Sequence, residues 1–357
     1  MSNYIINETE DKKEFFSKKY NFKFDKKTGF FIRYGATIEE NPEFSEFGPE
    51  IADIEISTAC SGLTGTPCSF CYKANTPKGT YMSYSTFKKV FHNLPRTLTQ
   101  IAFGIGDIDA NPDIWEIFDY CRNNEHNKVI PNVTINGARL TPETLDNLAK
   151  YCGAVAVSRY NLSDFCYDAV EELSVRGMKQ VNIHMLLSRE TYEDCFKVLD
   201  DAKEDPRLKG LNAIVFLSLK PKGRGKNYSC LKNKDDYKKL IDYAFDKGVN
   251  IGFDSCSAPL FLNAVNDRPD YQKLVDLAEP CESYLFSIYI DVNGKSVPCS
   301  FLSGMWPELD MTQEGIGLEQ WWNFKSTTKW REKLLATANS NKSLISGCRQ
   351  CPIFEMY

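Results

Sequence analysis

Between residues 51 and 248, short apolar runs alternate six times with segments of helical period, and this alternation constrains the fold more than any other feature. The runs at 51–57, 100–104, 131–135, 154–158, 180–187 and 212–219 read as strands, and the segments at 84–94, 112–123, 142–151, 163–176, 191–203 and 235–247 read as helices. Asn111-Pro112 and Thr141-Pro142 each read as an N-cap with proline at the first helical position, and Gly177 and Gly248 stand where C-cap glycines belong. Strands joined through helices run parallel. The expectation is an α/β fold, a partial (β/α)6 TIM barrel with its functional groups at the C-terminal ends of the strands. A doubly wound open sheet is the alternative, but no Gly-x-Gly-x-x-Gly follows the first strand, so a dinucleotide fold has little support.

The flanks differ in character. Residues 1–50 are polar, with one hairpin signal over 22–33 around Lys27-Thr28-Gly29, and read as an N-terminal adornment. Residues 51–248 form the barrel. Residues 249–357 form a small extension, with one more strand over 249–254 and a hairpin of 284–291 with 295–301 around Val292-Asn293-Gly294. The composition, 42% hydrophobic and 25% charged, is that of an ordinary globular chain, and no run is long enough for a membrane span. The N-terminal residues carry no signal-peptide pattern, so a cytoplasmic protein is expected. A net charge of −5 argues against nucleic acid as a partner, and the short basic run 220–226 reads as a solvated loop.

Thirteen cysteines are more than a core in a reducing compartment needs. Cys121, Cys152, Cys166, Cys195 and Cys230 are set aside; the first four are scattered in helical surroundings as small buried hydrophobes would be. Cys60, Cys68 and Cys71 are different, because they form a C-x7-C-x2-C loop directly after the first strand. Three thiols in one loop read as a metal site rather than as disulfides. None of the three histidines, His92, His126 and His184, lies in the loop to complete a closed zinc site. Three thiolates on a four-iron cluster leave one iron open to a further ligand. A second set, Cys281, Cys299, Cys348 and Cys351, spaced C-x17-C and then C-x2-C, suits either a four-thiolate zinc or a fully ligated [4Fe-4S] cluster.

Over residues 50–357 the chain resembles the radical S-adenosylmethionine (SAM) superfamily, with a C-terminal part similar to the twitch version of the SPASM auxiliary-cluster domain. Phe70 stands where the family places an aromatic before the last cysteine, although the first gap is seven residues where the family most often has three. Gly62, Gly65 and Pro67 suit the enlarged turn. The resemblance implies a [4Fe-4S] cluster on Cys60, Cys68 and Cys71 that binds SAM, and an auxiliary [4Fe-4S] cluster on Cys281, Cys299, Cys348 and Cys351. It places Gly104, Gly106 and Asp107 at the methionine amino group, with Asn136, Ser158 and Arg159 among the ribose and carboxylate contacts. Gly223-Arg224 matches a turn common in the SPASM and twitch group. An external one-electron reductant of flavodoxin or ferredoxin type, reductive SAM cleavage and hydrogen abstraction by a 5′-deoxyadenosyl radical are implied as well.

Cys256, at the end of the strand over 249–254, is a candidate hydrogen donor or substrate contact; it also reads as a buried hydrophobe or a fifth cluster ligand. Asn161, Asn182, His184 and Asp254 stand near predicted strand ends and suit a cationic, hydrogen-bonding small molecule. The cysteine spacing with Phe253-Asp254-Ser255-Cys256 is similar to the queuine lyases, which implies C–N cleavage of a modified nucleobase. The alternatives are a peptide-modifying enzyme, such as a Cα epimerase or another maturase, and a twitch-type radical dehydrogenase. A zinc-structured binding protein is the non-enzymatic reading.

Overall fold

The computed structural model describes residues 4–339 and 348–354. Its first element is an antiparallel meander of β1 (Ile5–Glu8), β2 (Lys12–Phe16), β3 (Asn21–Asp25) and β4 (Phe31–Tyr34). The expected hairpin is the β3–β4 pair, closed by Gly29 at φ 75° and by Asp25, whose carboxylate accepts from Thr28. Sequence alone showed only this half of the sheet. β1 shows no apolar alternation, and β2 carries Lys13 at a buried position in line with Phe15, so neither reads as a strand from its sequence.

Next come β5 (Ile51–Glu55), α1 (Tyr84–His92), β6 (Gln100–Gly104), α2 (Ile114–Asn123), β7 (Ile130–Ile135), α3 (Pro142–Tyr151), β8 (Val155–Arg159), α4 (Ser163–Val175), β9 (Val181–Leu187), α5 (Tyr192–Glu204), β10 (Ala213–Ser218), α6 (Lys234–Asp246) and β11 (Ile251–Phe253). The seven strands lie side by side and parallel, in chain order. Gly177 (φ 89°) and Gly248 (φ 63°) end α4 and α6 as C-cap glycines do. Thr141 caps α3 by accepting from the Thr144 amide at 3.1 Å. Asn111 does more than cap: α2 starts later, at Ile114, and while Asn111 Oδ1 accepts from the Asp113 amide at 2.9 Å, its Nδ2 donates to the Ile56 and Met82 carbonyls. It ties the approach to α2 to the end of β5.

After α7 (Ala258–Ala264) and α8 (Tyr271–Asp276), the expected hairpin appears as β12 (Ser287–Ile290) and β13 (Lys295–Val297), turning at Gly294 with φ 76°. It is not a separate layer, because β12 pairs in parallel with the free edge of β5 and β13 pairs with β14 (Leu309–Asp310). The sheet therefore has ten strands, with β11 and β14 at its open ends. Two further helices, α9 (Leu318–Trp321) and α10 (Lys325–Ala336), pack on the start of β12. Trp330 Nε1 donates to the Ser283 carbonyl, and Arg331 Nε donates to that of Tyr284. Among the described residues no helix is long and apolar enough to cross a membrane.

The two faces of the parallel strands differ. Along β9, Val181, Ile183, Met185 and Leu187 are buried against helices, while Asn182, His184 and Leu186 face inward and stay partly open. A filled barrel would bury both sets. The inward face here mixes polar groups with apolar ones such as Leu186 and Leu217, and the interior is hollow.

The meander closes one end of that interior. Phe15, Tyr20, Phe22 and Phe24 form a core with Phe47, Ile130, Leu285 and Phe286, residues at or near the N-terminal ends of parallel strands. Buried Lys13 donates to the Leu98 carbonyl at 2.8 Å and to Asn127. Arg33 spans the junction: its guanidinium meets Glu50 through two nitrogens at 2.9 and 2.6 Å, reaches Glu282 at 2.9 Å and stacks 3.5 Å from the Phe286 ring centre. Removing one partner of such a buried pair leaves the other charge uncompensated, so Arg33→Ala is expected to lose about 3–5 kcal/mol in chemical denaturation. A loss below about 1 kcal/mol would mean that the meander docks by its apolar face alone.

Candidate active site

The loop from Cys60 to Cys71 leaves the C-terminal end of β5 and is fixed by its backbone. Gly62 (φ 69°) and Gly65 (φ 88°) provide the turns that the long gap between Cys60 and Cys68 requires, and at Gly62 a Cβ would lie 2.0 Å from the Thr66 carbonyl oxygen. Cys60 N donates to Thr76 O at 3.0 Å. On the far side, Arg224 Nε donates to Cys68 O at 2.7 Å, its Nη2 to Asn75 O, and its amide to Cys71 O. Gly223, at φ 56°, lies against the chain at Tyr72, where a Cβ would come within 2.3 Å of the carbonyl oxygen. The Gly-Arg turn is a clamp on the cysteine loop.

With the backbone held, all three thiols line one cavity of about 590 Å³. Its other walls include Phe70, Gly104, Gly106, Asn136 and Ser158, five of the positions expected to contact a cofactor. Phe70 packs against Tyr160 and Tyr228, with ring centres at 5.3 and 5.7 Å. Gly106 has no room for a side chain, since a Cβ would stand 2.1 Å from Ala59 O and 2.6 Å from Cys60 Cβ. Burial, followed by the neighbouring thiols, pushes Cys68 up to about 11, and burial raises Cys60 as well. A bare thiolate is disfavoured there, whereas iron bound to the sulfurs would supply the missing positive charge. The donor set, three free thiols open to a roomy cavity, fits a cluster with one open iron.

Two expected contacts lie elsewhere. Asp107 does not line the cavity; its carboxylate accepts from the Ser61 amide at 2.8 Å, from Arg139 Nη1 at 2.7 Å and from Asn136 Nδ2 at 3.2 Å. It holds the cysteine loop to the loop after β7. Arg159 is the clearer correction. Side chains alternate along a strand, so Ser158 faces the cavity and Arg159 faces the helices, buried and 3.4 Å from Asp194 of α5.

Sequence reasoning singled out His184 and Asp254 of this wall but missed its other charged groups. Asp53 and Glu55, two apart on β5, both face inward. Tyr289 of β12 donates to Glu55 at 2.9 Å, and Lys73 reaches Glu55 at 3.2 Å and also bonds Tyr289. Lys220 pairs with Asp254, beside His184, which burial lowers to about 4 and so keeps neutral. The signal was present as two acids at period two in the apolar run Ile51-Ala52-Asp53-Ile54-Glu55-Ile56.

The second group of cysteines lies where β12 begins and β13 ends. Cys281, Cys299 and Cys351 each feel the charge of the other two or are felt by them, and Arg349 donates to Cys281 O at 2.8 Å. Cys348 packs against Ala258 and Leu262 of α7. Burial and neighbouring thiols push Cys299 up to about 12. Cys256 does not line the cavity; the charges it feels are Lys220 and Asp254, which do, and Cys281 and Cys299 of the second group. Among the described residues no three His, Cys, Asp or Glu side chains are grouped for a single metal ion.

Comparison with known proteins agrees with this geometry. Residues 54–204 match the model of the Radical SAM superfamily. These residues form a radical SAM domain. No curated protein matches the sequence, but solved structures match the fold. Streptococcus suis SuiB bound to the precursor peptide SuiA superposes with a TM-score of 0.70 at 15% identity, over 97% of this chain and 95% of that one. The anSMEcpe protein with bound AdoMet and the Cp18Cys peptide gives 0.62 at 17% identity, over 85% of this chain and 90% of that one.

The acid wall of the cavity should be detectable in the stability of the protein. Burial, then Glu282, raises Asp53 from its ordinary 3.8 to about 7. The folded state thus keeps this proton to higher pH than the unfolded chain, and stability is lost as pH rises between those values. Asp53→Asn is expected to be more stable than the parent at pH 8 and to show no advantage near pH 4, read from urea midpoints. An advantage independent of pH would mean that Asp53 is not held protonated.

Proposed function

We propose that this protein is a radical SAM enzyme that modifies a peptide. The observation that carries the radical SAM part is the set of three free thiols, on a loop held mainly through its backbone, opening with Gly104, Gly106, Asn136 and Ser158 onto one hollow half-barrel. When bound, a [4Fe-4S] cluster with SAM supplies one-electron cleavage of the sulfonium and hydrogen abstraction, given an external one-electron reductant of flavodoxin or ferredoxin type. Cys60, Cys68 and Cys71 hold the cluster. Phe70, Gly104, Gly106, Asn136 and Ser158 line the SAM site, while Asp107, Arg139 and Arg224 keep the loop in place. The half-barrel encloses the reacting groups and limits their contact with water. Cys281, Cys299, Cys348 and Cys351 hold an auxiliary cluster in the part of the chain that continues the sheet.

Peptide modification stands ahead of C–N cleavage of a modified nucleobase. Similarity to peptide-bound SuiB extends over nearly the whole of both chains, and anSMEcpe is likewise peptide-bound, whereas no comparison supports a queuine lyase. The small-molecule reading retains one favourable observation, the polar groups set deep in the wall.

Replacing Cys60, Cys68 and Cys71 together by alanine is expected to abolish 5′-deoxyadenosine formation in the anaerobically reconstituted, dithionite-reduced protein. Iron should fall from about eight to about four per chain. Continued SAM cleavage in this variant would overturn the assignment. A mass change in a peptide encoded beside the gene supports peptide modification, and release of the base from queuine without any peptide product would replace it.

A further inference from the structure

Asp53 has no assigned part in the cofactor site, and its surroundings are unusual. It lies in the middle of β5, with its exposed side chain facing the cavity. In the sheet it is level with Ala102 of β6 on one side and Tyr289 of β12 on the other. Ala102, and Gly104 beside Glu55, are too small to fill the space above the two acids. The other charged groups of this wall are matched. Glu55 has Lys73 and Tyr289, Asp254 has Lys220, and Arg224 is engaged by the Cys68 and Asn75 carbonyls. Asp53 has no hydrogen-bond or ion-pair partner among the described residues, and its charged neighbour is another acid, Glu282.

A carboxyl without a partner in a concave wall is costlier to ionise than a free one, and a cation placed against it offsets that cost. An anionic group would meet repulsion from Asp53, since its neighbour Glu282 is already paired with Arg33 and Asp53 has no cation of its own. A hard metal ion would need several oxygen ligands, and the neighbours of Asp53 on the ladder are an alanine and a phenol. The aromatic wall of Tyr72, Tyr289 and Phe301 also suits a cation; Lys73 already lies 4.6 Å from the Tyr289 ring centre. We propose that Asp53 is a specificity-determining residue that receives a protonated amine or guanidinium group of the substrate inside the half-barrel. This rests on the reading of the cavity as the site of a radical SAM reaction. The group can come from a lysine or arginine side chain of a peptide or from a free amine.

The test is calorimetric titration of the reconstituted, SAM-loaded protein with n-butylammonium, methylguanidinium, n-butanol and butyrate. The cations are expected to bind in preference to n-butanol and butyrate, Asp53→Asn to weaken them about tenfold or more, and Asp53→Glu to restore part of the loss. Binding of SAM should be the same in all three proteins, which also reports that each is folded. Acetyl-Ala-Lys-Ala-amide binding more tightly than n-butylammonium identifies a peptide as the source, and equal or weaker binding identifies a free amine. Equal binding of the cations by Asp53→Asn, no preference of the parent for cations, or loss of SAM affinity on substitution would each overturn the proposal. If the parent binds the cations but forms no 5′-deoxyadenosine, the radical SAM reading fails and the amine site stands.

Discussion

The site depends on holding a cysteine loop mainly by its backbone. Most of the fixing bonds are made to amides and carbonyls, which leaves the thiols directed at the cavity; Cys60 Sγ accepts from the Gly62 amide, at 3.4 Å. Asp107 takes the Ser61 amide, and Arg224 takes the Cys68 and Asn75 carbonyls. These anchors come from different parts of the barrel, one after β6 and one after β10. The loop geometry is therefore set by the relative position of distant strands, which is a property of the whole sheet. Gly106 and Gly223 show the same dependence, since each lies where a backbone distant in sequence leaves no room for a Cβ.

A hollow interior is the second condition. Parallel sheets normally bury both faces in apolar side chains, yet here the inward positions carry Asp53, Asn132, Thr134, Ser158, Asn182, His184 and Asp254. The apolar burial that stabilises the domain comes from the outer layer instead, where Val181, Ile183, Val198, Leu199 and their equivalents lie between strands and helices. The interior is thereby free to be polar, and its acids and lysines are arranged in pairs so that few charges remain uncompensated. The meander contributes from the opposite side by covering the N-terminal ends of the strands, with Arg33 neutralising acids that would otherwise add to the field at Asp53.

Much of this was legible in the sequence because it is local. Strand and helix order follows from apolar period, and the cap at Thr141 and the glycines at 177 and 248 mark where helices begin or end. The cysteine spacing singled out the loop. What could not be read depends on which face a residue takes and what stands opposite. Ser158 and Arg159 are neighbours in sequence and lie on opposite sides of the sheet, so a strand-end motif did not show which would reach the cavity. Asn111 before Pro112 looked like nothing more than a cap because the carbonyls it bonds belong to segments 29 and 55 residues away. β1 and β2 were hidden for a related reason, as their single buried face is defined only by the barrel end beneath it.

The hairpin of β12 and β13 shows how the two cysteine groups are related. Sequence spacing suggested an appended module, but β12 pairs directly with β5, the strand that leads into the first cysteine loop. Tyr289 on β12 and Glu55 on β5 are joined by a hydrogen bond, and Lys73, just beyond the loop, bonds both. A displacement of the second group thus acts on the strand that sets the position of Cys60, through a ladder and a buried polar contact rather than through a flexible linker. This coupling also accounts for the placement of Cys256, at the end of the sheet opposite β14 yet within the field of Cys281 and Cys299. The sheet curls so that the segment after β10 meets the one after β13, where Lys222 donates to the Phe301 and Ser303 carbonyls, and the cavity is the concave space enclosed by the strands between.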